Sequence, residues 1–150
     1  MLHVAFEARR GVRVTREYSN QDIVVMWDAD RCVHFGNCTR GLPSVFSGRA
    51  HPWINLEGAD ADRVVEVVRS CPSGALHYRR LDGGAEEVAD TSMQVWPDPK
   101  GALHVRGDIE VLASDGTVLR HDMRVALCRC GGSANKPFCD SSHRTNGFAP

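Results

Sequence analysis

Cys128-Arg129-Cys130-Gly131-Gly132-Ser133-Ala134-Asn135-Lys136-Pro137-Phe138-Cys139-Asp140-Ser141-Ser142-His143 puts three thiols and one imidazole into sixteen consecutive residues. Glycines stand where the chain must bend, and Pro137 precedes the third Cys. A set of this kind at short spacing reads first as a metal site. In a [2Fe-2S] cluster, Cys128 and Cys130 would serve one iron and Cys139 and His143 the other. Zinc also accepts three thiolates and an imidazole, but its paired cysteines are usually spaced by two to four residues. The Cys-x-Cys pair therefore tilts away from zinc without excluding it. Gly131 and Gly132 let backbone N–H groups turn toward the sulfurs, and Ser133 can add a hydroxyl donor. Asp140 is placed to cap a short helical turn whose positive end faces the site. Turn formation alone is an equally good reading of Ser133 and Asp140.

Working outward, apolar residues alternate at Leu103/Val105, Ile109/Val111 and Met123/Val125/Leu127. Turn residues fall at 97–101, 107–108 and 114–116, which predicts three or four short antiparallel strands running into Cys128. Upstream, residues 83–91 are small and acidic and read as a linker. The six cysteines split across it, with Cys32, Cys38 and Cys71 before and Cys128, Cys130 and Cys139 after. Two sites follow, one per half.

In the first half, Ile23 to Trp27 is an apolar, branched strand candidate leading into Cys32. Val45-Phe46 and Trp53-Ile54 could pair as a small hairpin. Asp60 is a candidate N-cap for a helix running to Ser70, because Val64, Val67, Val68 and Cys71 recur on one helical face and Pro72 ends it. Ala75 to Tyr78 is a strand candidate able to lie beside Ile23–Trp27. Strand, Cys loop, hairpin, helix and strand make a ferredoxin-like α+β order. Cys32-x5-Cys38 has the outer spacing of a ferredoxin run, with Phe35 where the middle Cys would stand, and Cys71-Pro72 supplies the remote Cys-Pro.

On these residues, about 22–80, the first half resembles the divergent single-cluster ferredoxins. The resemblance implies a [3Fe-4S] cluster on Cys32, Cys38 and Cys71, or a [4Fe-4S] cluster with one further non-cysteine ligand. His34 is the nearby candidate for that ligand, against the plainer reading of a solvated loop histidine. Phe35 is expected to pack over the cluster and exclude water. The second motif, Cys-x-Cys-x2-Ser-x3-Pro-x-Cys-Asp-x-x-His, resembles the CDGSH (mitoNEET-like) iron-sulfur proteins over about residues 92–148. That resemblance implies a [2Fe-2S] cluster on Cys128, Cys130, Cys139 and His143. Many members form homodimers through a swapped strand in a β-cap, which leaves a homodimer open here. Ser141 stands where the family usually has glycine. His143 in place of a thiolate would raise the reduction potential.

The expected organisation is an N-terminal extension over 1–20, with short alternating pieces at Val4/Phe6 and Val12/Val14. A divergent ferredoxin-like domain follows over 21–82, a linker over 83–91, and a CDGSH iron-sulfur domain with an antiparallel β-cap over 92–150. A net charge of −1, from 18 basic and 19 acidic residues, gives no bulk attraction to nucleic acid or an anionic membrane. With no long apolar run and no signal-peptide pattern, a cytoplasmic protein is expected. No nucleophile triad, P-loop or dinucleotide fingerprint is present, so a substrate-converting enzyme is not expected. His51, His77, His104 and His121 read as ordinary strand or loop residues, and Trp27, Trp53 and Trp96 as core anchors. Electron transfer between two unlike clusters, with a redox partner protein, is the leading expectation. The competing ones are transfer or sensing through a labile [2Fe-2S] cluster given to an apo acceptor, and a structural zinc module.

Overall fold

The fold comes from a computed structural model, which describes residues 15–150. It is a small α+β fold with two three-stranded antiparallel sheets, ordered β1-β2-β3 and β4-β5-β6. The pieces expected at Val4/Phe6 and Val12/Val14 lie outside the described residues. Of the stretch expected as an extension, Thr15–Ser19 is strand β1, paired with β2, Ile23–Asp28. Asn20 makes the turn between them, its side chain accepting from the N–H groups of Asp22 and Ile23 at 3.0 Å each.

After β2 come α1, Asn37–Gly41, and α2, Ala61–Arg69. The expected cap is present, since the Asp60 carboxylate accepts from the Arg63 N–H at 2.9 Å. Val64, Val67 and Val68 are buried against Ile23, Val25, Leu76 and Tyr78, which holds α2 on the sheet. The anticipated small hairpin is a single bridge, Phe46 to Ile54. Strand β3, Leu76–Arg80, pairs antiparallel with β2 as expected. Trp27 and Trp53 pack edge to face at 4.8 Å on the rim of this core.

The second sheet contains β4, Gln94–Pro97, β5, Leu103–Leu112, and β6, Val118–Leu127. The turn expected at 107–108 is instead a bulge: the register slips between Arg106 and Ile109, and β5 goes on pairing with β6 beyond it. Trp96 is not a core anchor. It lies 38% exposed on the edge strand, its ring 5.4 Å from that of His104. Among the described residues no helix is long and apolar enough to cross a membrane.

Buried charge, rather than apolar packing alone, joins the halves. Asp122 of β6 meets Arg31 at 3.1 Å, Arg120 at 2.9 Å and His77 at 3.0 Å. Arg124 of β6 donates to the backbone oxygens of Val68 and Leu76 and to Glu87. Glu87 lies in the stretch expected as a linker, which carries no helix or strand, and also holds His77 at 2.9 Å. His77 is thus no ordinary strand residue. Burial lowers its pKa, but the carboxylates of Asp122 and Glu87 outweigh burial and raise it to about 9. Burial opposes ionisation of Asp122, yet His77 and the arginines hold its pKa below the usual carboxylate range.

Candidate metal centres

The first donor set comes from three separate elements. Cys32 follows the turn 29–31, Cys38 sits in α1, and Cys71 follows α2. The fold brings all three to one cavity, with Trp27, Trp53 and Phe35 in its wall. Burial pushes the Cys38 thiol up to about 11, and nearby Cys71 and Cys32 add to the rise. Cys32 is raised mainly by burial, with Cys71 contributing. Three thiolates cannot stay charged together in such a place without a cation. The donor chemistry fits a bound iron-sulfur cluster.

His34 has a positive φ of 53°, and its Nδ1 is 3.9 Å from the Cys32 sulfur. Phe35 borders the first cavity but is 38% exposed, and it makes a T-shaped contact with His104, ring centroids 6.0 Å apart. His104 is itself buried between Phe35 and Trp96, and burial lowers its pKa.

In the second set the donors fall into two pairs. The Cys128 and Cys130 sulfurs are 3.9 Å apart, and the Cys139 sulfur is 3.6 Å from His143 Nδ1. Repulsion from Cys128 and Cys130 contributes to the raised pKa of Cys139, after burial, so the pairs share one locality. Two backbone donors already point at sulfur: Gly132 N–H to Cys130 at 3.4 Å and Ser141 N–H to Cys139 at 3.3 Å. The first lowers the Cys130 pKa, with further help from the Asn146 amide. These donors suit anionic sulfur and fit a cluster here too. Among the described residues no three His, Cys, Asp or Glu converge on one point as a single ion requires.

Ser133 does not donate to sulfur. Its hydroxyl donates to the Phe138 carbonyl at 2.6 Å and accepts from Asn135 N–H at 3.0 Å, so its part is to fold the loop. Asp140 is not the cap expected, since Ser141 is the N-cap of the turn 142–144, but it accepts from Ser142 N–H at 3.0 Å and ties in Ala134 N–H at 2.9 Å. The Ser142 hydroxyl and these N–H groups hold its pKa down to about 2.

The donor loops touch. Val33, in the first loop, is buried with Cys139, Ala102 and Ala126. Arg144 donates to the carbonyls of Val33 at 3.1 Å and His34 at 3.2 Å. Arg31, just before Cys32, donates to the Ser73 carbonyl at 2.7 Å and lies 4.5 Å from the Phe138 ring centroid, just before Cys139. A cavity of about 740 Å³ borders both loops, with Val33, Phe35, Cys139 and His143 in its wall.

Sequence reasoning missed Arg31, Arg144, Asn146 and Gly101. A Cβ on Gly101 would stand 2.7 Å from His143 Nε2, so the imidazole rests against bare backbone. Arg129 fixes that backbone by donating to the carbonyls of Gly101 at 2.8 Å and Asp98 at 2.7 Å. A Cβ on Gly132 would stand 2.5 Å from the Asn146 amide nitrogen, which lies beside Cys130. The only local signal was an arginine next to four ligand candidates, Cys32, Cys128, Cys130 and His143.

Comparison with known proteins places an iron-binding family on each half of the chain. Residues 18–81 match the family described as a divergent 4Fe-4S mono-cluster. Residues 100–144 match the family described as an iron-binding zinc finger of CDGSH type. The uncharacterized protein YjdI of Escherichia coli strain K12 is 42% identical over 64 residues, 43% of this chain and 84% of YjdI. YjdI of Escherichia coli O157:H7 matches to the same extent. No solved structure matches the chain. With three thiols gathered in the first half and three thiols and an imidazole in the second, the chain belongs with YjdI and carries a divergent single-cluster 4Fe-4S domain followed by a CDGSH-type iron-binding domain.

Proposed function

We propose that this is a two-cluster electron-transfer protein. Cys32, Cys38 and Cys71 hold a [3Fe-4S] or [4Fe-4S] cluster in a ferredoxin-like first half, with His34 beside Cys32 as the candidate non-cysteine ligand. Cys128, Cys130, Cys139 and His143 hold a [2Fe-2S] cluster. The clusters supply one-electron chemistry; the chain positions and insulates them. Contact between the donor loops carries the reading: Val33 packs on Cys139, and Arg144 grips the Val33 and His34 carbonyls. Two independent sites would not need that contact. The two-plus-two pairing in the second loop favours two irons over one zinc.

A second reading, cluster donation to an apo acceptor, is favoured by the exposure of Gly131 and Gly132 beside Cys130. The two part on one experiment. Anaerobic reduction and reoxidation beside an apo acceptor should cycle both centres without loss of iron. Appearance of the [2Fe-2S] cluster on the acceptor would favour donation instead. The partner on the relay reading is another redox protein.

A further inference from the structure

Ser141 sits at φ 72°, the left-handed region where glycine has no steric cost and serine does. Both of its polar groups are used. Its N–H donates to the Cys139 sulfur at 3.3 Å, and its hydroxyl donates to the Val33 carbonyl at 3.0 Å. Val33 is bonded directly to Cys32. From Cys32 to the Cys139 sulfur the route is therefore the Cys32–Val33 peptide unit, the Val33 Cα and carbonyl, one hydrogen bond, the short Ser141 frame and a second hydrogen bond. Val33 is 6% and Cys139 4% exposed, so the route is buried at both of those residues, while Cys32 is half-buried. Arg144 shares the Val33 oxygen, and its charge also acts on Cys32.

We infer that Ser141 is the positioning residue that couples the two centres, its hydroxyl completing the path between the Cys32 loop and Cys139. The inference rests on the relay reading. In the step, one electron leaves the reduced centre of the first loop and enters the oxidised centre of the second. No bond is made or broken and no proton moves. The electron comes from an external low-potential one-electron reductant.

The test uses the full chain with both clusters and less dithionite than both centres take up, with freeze-quench EPR following redistribution between them. Ser141→Gly removes the hydroxyl, suits the backbone and keeps the N–H to Cys139. Ser141→Ala removes the hydroxyl and keeps the strain. Both variants should equilibrate several-fold more slowly than the parent. In Ser141→Gly the line shape and potential of each centre should hold and the thermal midpoint should not fall. Equilibration at the parent rate in either variant overturns the inference, as does a slow rate accompanied by an altered potential in Ser141→Gly. Absence of any redistribution in the parent protein overturns the relay reading itself, and the inference with it.

Discussion

The two donor sets are built in opposite ways. Cys32, Cys38 and Cys71 come together only when a turn, a short helix and the end of α2 dock on one sheet. Cys128, Cys130, Cys139 and His143 lie on one loop tied by its own bonds, from the Ser133 hydroxyl to Phe138 and from Ala134 N–H to Asp140. Burial dominates the shifts of Cys32 and Cys38; in the second set it leads at Cys139 too, but a backbone N–H leads at Cys130. The first centre is therefore a property of the fold and the second of a loop. Loss of tertiary packing should strike them unequally.

The largest expected effect is from Cys71→Ser. Removing the thiol shared electrostatically with both Cys32 and Cys38 should abolish the first centre, and iron content should drop to that of the second alone. Retention of the parent iron and sulfide content would contradict the trio. Next is Asp122→Asn, which leaves Arg31, Arg120 and His77 without their buried carboxylate. Breaking a buried pair costs about 3–5 kcal/mol. Chemical denaturation should show that loss, with the first centre bleaching before the second.

A pH titration sharpens the same point. The His77 pKa is raised above its unfolded value, so its stabilisation is complete below about 6.5 and is lost as pH rises through about 9. The depressed Asp122 and Glu87 contribute above the ordinary carboxylate range and lose that contribution as pH falls through their folded values. Thermal midpoints should decline on the alkaline side, and His77→Gln should flatten that decline. The smallest effect belongs to Gly132→Ala. Its Cβ would crowd the Asn146 amide and weaken a donor to Cys130. The potential of the second centre should fall modestly, with the first unmoved; a shift in both would break the separation.

How much of this was legible beforehand follows the same divide. The second loop could be read because its donors and its glycines are neighbours in sequence. Strands β2 and β3, most of the second sheet, the Asp60 cap and the valine stripe of α2 were legible as local periodicity; β1, nearly all exposed, was not. The bulge at 107–108 was not, because its residues also make turns and only pairing with β6 decides between the two. His77 and Trp96 were misread for a related reason. Asp122, Glu87 and Arg124 come from distant parts of the chain, and no spacing shows them meeting His77. Nor does local sequence show that β4 is an edge strand. The bond from Ser141 to Val33 joins residues 108 positions apart, and a departure from the family's usual glycine was its only trace.

The central claim is that one chain carries two unlike iron-sulfur clusters, one of them bound by His143. EPR of the anaerobically purified full chain, oxidised and reduced, with iron and acid-labile sulfide counted on the same sample, tests it most directly. Two distinguishable centres are expected, the reduced [2Fe-2S] signal showing hyperfine coupling to an imidazole nitrogen that His143→Cys removes. A single centre, or zinc without sulfide in the 128–143 loop, would contradict it.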